Sequence, residues 1–241
     1  MVLPGLYVCV VILLHQSRIK AEGDINVLMT TNADQQQEIV NMHNSLRRAV
    51  DPPARNMLKM EWNDQLAENS QKWANECLQN HSSKASRKMN GTNSGENLYM
   101  STAPNSWSEA IQEWYDEVHD FEHGYGPIWQ DAVVGHYTQV VWYLSYKVGC
   151  GVAKCPNKKY TYYYVCQYNP AGNRKDLMHT PYAEGKPCED CPKNCDDGLC
   201  TNPCTENDMY SNCPQLKKEW GCEISLMSNC KASCKCTTEI K

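Results

Sequence analysis

Apolar residues return every three or four positions between Gln35 and Val50, at Ile39, Met42, Leu46 and Val50. That spacing marks one buried face of a helix. Asp51-Pro52-Pro53 closes the run, because proline cannot continue the helical hydrogen-bond ladder. Trp62, Leu66, Trp73 and Cys77 predict a second helix, capped by Asn63 or Asp64. Ser106-Trp-Ser-Glu109 has the form of a capping box and leads into Ala110, Ile111, Trp114, Tyr115 and Val118. The period then changes. Lys147–Lys154 and Tyr160–Tyr168 are rich in β-branched and aromatic residues and flank a Cys155-Pro-Asn-Lys-Lys159 turn, so they read as strands. Helices first and strands later predict an α+β layered domain.

Cysteine usage adds a second unit. The chain has 241 residues and 15 cysteines. Between Cys9 and residue 187 only Cys77, Cys150, Cys155 and Cys166 occur. The rest crowd into the tail: Cys188, Cys191, Cys195, Cys200, Cys204, Cys213, Cys222, Cys230, Cys234 and Cys236. The first part is long enough for an ordinary core, whereas the tail is short enough to need covalent staples. Such density belongs to an oxidising, extracellular compartment. Val8–Leu14 is an apolar run of seven, fit for a signal-peptide core and too short to span a bilayer. Cleavage near Ala21 would remove Cys9 and leave 14 cysteines, an even number that full pairing allows. The expected division is a signal peptide over 1–21, a first domain over 22–180, a hinge over 181–204 and a cysteine-rich module over 205–241. A net charge of -5 argues against nucleic acid as a partner.

The candidate chemistry is two histidines and two carboxylates: His81, Glu96, Glu117 and His136. Two imidazoles and two carboxylates suffice to hold Zn²⁺ with an open position. No short metal motif joins them, and hydrogen-bonded histidines beside surface carboxylates account for the same residues. Two N-glycosylation sequons occur at Asn80 and Asn90. The first overlaps His81, so a glycan there would stand at the rim of any site His81 builds. In the tail, Cys188-x-x-Cys191 lacks the βαβ context of a redox motif, and structural zinc is the weaker alternative to disulfides.

Gly135-His-Tyr-Thr-Gln-Val-Val-Trp142 and Tyr164-Val-Cys-Gln-Tyr-Asn-Pro-Ala-Gly-Asn173 resemble the two signature segments of the CAP superfamily. Gly95-Glu-Asn-Leu-Tyr99 and Trp114-Tyr-Asp-Glu117 match the same family. The run from Cys188 to Cys204 is similar to the hinge of the cysteine-rich secretory proteins, and the six cysteines from Cys204 to Cys236 to their ion-channel-regulator module. The resemblance implies a three-layer α-β-α CAP sandwich, then a small disulfide-rich hinge and a helical cysteine-rich domain. It implies that His81, Glu96, Glu117 and His136 converge in one cleft, with the histidines as ligands of a non-catalytic Zn²⁺. It also implies Cys77–Cys155 and Cys150–Cys166 disulfides. Ser94 and Asn169 stand where the family usually has a bonded cysteine pair, so Gly91–Met100 is expected to be looser.

The function implied is that of a secreted, non-enzymatic binding protein without catalytic residues. Relatives of this type associate with sperm or modulate ion channels, and Pro52–Trp62 looks closest to the reproductive-tract members. Partners would be sperm-surface or channel proteins, small secreted proteins, or sterol and lipid, with only peripheral membrane contact. The alternatives are a venom-type channel blocker, a metal-dependent hydrolase at the four residues above, and a protein that stores or senses zinc. The tail carries six Lys against nine Asp or Glu, so it offers no cationic plug. Channel contact would rest on Tyr210, Leu216, Trp220, Ile224 and Leu226, unless these pack inside the module.

Overall fold

A computed structural model describes residues 25–89 and 91–241. The signal-peptide expectation, Cys9 and the Asn90 sequon fall outside those residues. Helix α1 (Ala33–Arg48) is capped by Asn32, and α2 (Asp64–Asn75) by Asn63, whose side chain accepts from the Leu66 amide. Trp62 does not belong to α2 as its spacing predicts. It forms the short strand β1 (Glu61–Trp62), because Asn63 in extended conformation starts the helix one residue later. Next come β2 (Gly95–Ser101) and α3 (Trp107–Asp116), the latter with the Ser106–Glu109 capping box formed in both directions. A small ribbon of β3 (Phe121–Glu122) and β4 (Gly126–Pro127) precedes α4 (Gly135–Val140). Strands β5 (Lys147–Lys154) and β6 (Tyr162–Asn169) complete the domain.

The four-stranded sheet runs β1-β5-β6-β2, parallel at β1 and antiparallel elsewhere. Every residue of β6 is buried, so both faces of the sheet are covered. Alternation along the strand divides the two cores. Tyr162, Tyr164, Cys166 and Tyr168 join Ile39, Ile111 and Val140 from α1, α3 and α4, while Tyr163 and Val165 join Ala74 of α2 and Leu98 of β2. This is the expected three-layer α-β-α sandwich. Two glycines set the spacing on the α2 side. A side chain at Gly149 would meet the Ala67 nitrogen at 2.2 Å, and one at Gly151 the Gln71 Cα at 2.4 Å. The helix backbone therefore lies directly on β5, and Ser70 donates to the Gly149 carbonyl at 2.8 Å.

Two buried cationic-type residues on α1 hold the other layer. Arg47 donates to the carbonyls of Leu58, Val140, Trp142 and Tyr143 and, among the described residues, meets no carboxylate. Burial lowers its guanidinium to about 9. His43 donates from Nδ1 to the Ile39 carbonyl (2.8 Å) and accepts at Nε2 from the Tyr168 hydroxyl (3.0 Å). Burial pushes its imidazole down to about 4.

The tail contains the ribbon β7 (Cys195–Asp196) and β8 (Leu199–Cys200), then α5 (Cys213–Trp220) and α6 (Lys231–Lys235). Its disulfides are Cys188–Cys195, Cys191–Cys200, Cys204–Cys236, Cys213–Cys230 and Cys222–Cys234. Cys77–Cys155 and Cys150–Cys166 bridge the first domain. The segment expected as a hinge is fastened to that domain. Arg55 N donates to Ala183 O, Lys59 N to Cys200 O and Cys200 N to Met57 O, each at 2.8–2.9 Å. Arg48, Arg55 and Lys59 pair with Asp197, Asp190 and Asp196. Among the described residues no helix is long and apolar enough to cross a membrane.

Candidate functional site

The four residues singled out by chemistry form two His–Glu dyads. Glu96 is buried near the start of β2 and gathers donors at both oxygens. Oε1 accepts from His81 Nδ1 (2.9 Å) and the Ser82 amide (2.9 Å); Oε2 accepts from Ser82 Oγ (2.6 Å) and Gln167 Nε2 (3.1 Å). Arg87 stands 3.4 Å from Oε1. Burial alone would raise this carboxyl, but the hydrogen bonds from His81 and Ser82 and the Arg87 charge outweigh it and hold Glu96 below the usual carboxylate range. Ser82 is also the third residue of the Asn80 sequon, so the hydroxyl that completes the sequon is locked into the dyad. Asn80 itself is exposed.

The second dyad sits where α3 ends and α4 begins. Glu117 Oε1 accepts from His136 Nδ1 at 2.6 Å, and Oε2 from the amides of His136 (2.8 Å) and Tyr137 (3.1 Å). Glu117 thus caps the positive end of α4 from outside the helix. The His136 ring stacks on Trp114 with centroids 6.5 Å apart.

Glu96 shares a face with Gln167, while the next residue, Asn97, points the other way and donates to the His136 carbonyl at 3.1 Å. No three of the four bring ligand atoms within 4.8 Å of one another. The described groups that do so are Cys188, Cys191 and Cys200, and Asp208, Cys213 and Cys230. Every cysteine in those groups is in a disulfide, which leaves no thiolate for a metal. Of the two dyads, only His81 and Glu96 line the cleft of about 960 Å³ between the first domain and the tail.

The donor set can be tested for fit to zinc. Each Nδ1 is turned to a carboxylate, which leaves Nε2 of each ring for a metal. A carboxylate behind a histidine is the usual support for a metal-bound imidazole. By donor chemistry each dyad therefore suits Zn²⁺ as one histidine ligand with an orienting glutamate. The residues fit less well as four direct ligands, because the glutamate oxygens already carry hydrogen bonds.

Ser94 and Asn169 hold the neighbouring end of β2. Asn169 Nδ2 reaches Ser94 Oγ at 3.1 Å and Thr92 Oγ1 at 3.0 Å. An amide–hydroxyl contact takes the place of the disulfide, so Gly91–Met100 is tied to β6 without a covalent bond. Arg87, Ser82, Gln167, Asn97 and Trp114 are the supporting residues that pattern reading does not reveal. They act through contacts distant in sequence.

Fold and paired dyads together define a CAP-type module carrying a disulfide-stapled tail. The family model described as the cysteine-rich secretory protein family matches residues 40–168, and the one described as Crisp matches 188–241. The chain is 53% identical to cysteine-rich venom protein helothermine of Heloderma horridum horridum, covering 100% of both chains. It is 60% identical to cysteine-rich secretory protein 3 of Homo sapiens over 88% of this chain and 87% of that one. Among solved structures, NaASP2 with Zn²⁺ superposes with a TM-score of 0.58 at 31% identity, covering 70% of this chain and 96% of that one. The chain belongs to the cysteine-rich secretory protein family.

Proposed function

We propose that the chain is a secreted, non-enzymatic binding protein of the sperm-associated type, whose cysteine-rich cap engages ion channels. The observation that carries this reading is the outward face of the cap. Trp220 is 55% exposed, Ile224 39%, Leu226 40% and Tyr210 44%, although the cap is stapled by disulfides. Leu216, expected beside them, packs against the Cys213, Met227 and Cys230 cluster instead. Rigid aromatic and aliphatic side chains held in the open are what an interface anchor requires. The two named relatives, a lizard venom protein and a human secretory protein, support a secreted effector.

The state of Glu96 favours binding over hydrolysis. A general base needs a free lone pair within reach of its water, and each oxygen of Glu96 already accepts two hydrogen bonds. Zinc at His81 and His136 would then be a structural or sensed ion.

Whole-cell recording with full-length protein tests the reading, on sperm and on cells expressing a panel of calcium and potassium channels. We expect inhibition of at least one current, weakened about tenfold or more by Trp220→Ala, as loss of a buried anchor implies. Silence on every channel and on sperm would overturn it.

A further inference from the structure

The cleft between the first domain and the cap sets cationic side chains beside carboxylates that are already hydrogen-bonded. Its lining includes two carboxylates, Glu96 and Asp208, and both are satisfied from within. Glu96 is caged as described above. Asp208 accepts from the Ser233 amide at 2.9 Å and from Ser233 Oγ at 2.5 Å. Arg87 on the same walls is committed to the Ser82 and Ser94 carbonyls and to Glu96, but Lys84 and Arg174 are not held in this way. Among the described residues the Lys84 ammonium has no hydrogen-bond or ion-pair partner. Arg174 reaches only Asp176 at 2.7 Å, with both side chains more than half exposed, and such a pair exchanges readily for another anion. The Asn93 and Asn207 carboxamides, on opposite sides of the cleft, are also uncommitted.

We infer that this cleft binds an acidic saccharide, a sugar chain bearing sulfate or carboxylate groups. Lys84 and Arg174 would take the charged groups, and the free carboxamides the hydroxyls. A volume of about 960 Å³ is at the upper end of ordinary ligand pockets, room for more than a single small anion. Met209, Pro170 and Ala171 supply apolar surface for a pyranose face. No Phe, Tyr or Trp lines the cleft, so it has no platform for stacking the bases of a nucleic acid. The net charge of -5 removes any general attraction to polyanions, so binding must come from this local arrangement.

Calorimetric titration of the full-length protein tests the inference, with a heparin-derived hexasaccharide as the sulfated probe and a sialylated oligosaccharide as the carboxylated one. We expect at least one probe to bind, with affinity falling as salt rises. Lys84→Glu and Arg174→Glu should each weaken binding about tenfold, as loss of a charge-assisted hydrogen bond implies. The control K158E/K159E, in the β5–β6 turn, should leave it unchanged. Which probe binds tells sulfate from carboxylate as the recognised group. Failure of both probes overturns the inference, and so does an equal loss in the turn variant.

Discussion

His43 shows how one buried side chain writes a pH dependence into the whole fold. Its ring is neutral in the native protein because burial, helped by the nearby Arg47 charge, disfavours the imidazolium, and Nε2 then accepts from Tyr168. The folded value of about 4 lies below the ordinary 6.5. The unfolded chain therefore binds a proton that the fold refuses as pH falls between those values. The contribution of His43 is complete above pH 6.5 and is lost on descending towards pH 4, by about 3 kcal/mol in all. Urea unfolding at pH 7.0 and pH 4.5 should show this loss in the wild type, and His43→Gln should flatten it. An unchanged acid slope in the variant would assign the loss to other groups. Glu96 shows the same sign at lower pH. Its depressed carboxyl contributes above the ordinary carboxylate value, and that contribution disappears only at more acid pH.

At the scale of elements, the most instructive place is the edge of the sheet where β2 meets β6. Ser94 and Asn169 extend the register set by Gly95 and Tyr168, so S94C/N169C should close as a disulfide. A bridge of this kind commonly contributes about 2–4 kcal/mol. Chemical denaturation of the oxidised double variant should show that gain, and reduction should remove it; a destabilised oxidised form would mean the backbones sit too far apart. Strand β2 is also where sequence reading fell short. Gly95-Glu-Asn-Leu-Tyr99 combines polar residues with a glycine, and its burial comes from Glu96 and Asn97 making long-range hydrogen bonds that no local pattern records. The helices were legible because their caps and apolar faces are local: Asn63, and Ser106 with Glu109, stand where cap chemistry predicts. His43 and Arg47 carried a readable signal as well, since they share α1's buried face with Ile39 and Leu46. For the candidate site, residue type and family resemblance identified the four side chains. Which histidine pairs with which glutamate, His81 with Glu96 and His136 with Glu117, rests on contacts distant in sequence that no local pattern records.

Across the whole molecule, three of the tail's acidic residues turn to the first domain. Asp190, Asp196 and Asp197 face Arg55, Lys59 and Arg48 of the first domain. These pairs are largely exposed and contribute little individually, while the backbone bonds beside them do most of the fastening. R48Q/R55Q/K59Q should therefore leave the amides of Lys59 and Cys200 protected in hydrogen exchange. Rapid exchange there would mean that charge holds the hinge in place. The cap beyond it is secured at two points. Cys204 is bonded to Cys236, and Ile240 exchanges backbone bonds with Asn202 and Cys204 while burying its side chain against Leu58 and Cys200. Mechanically, the cap is a closed loop with a covalent crosspiece at its base. A tug transmitted through a partner gripping Trp220 would divide between two strands of chain, so the cap would resist being peeled away far better than a module hung from a single linker.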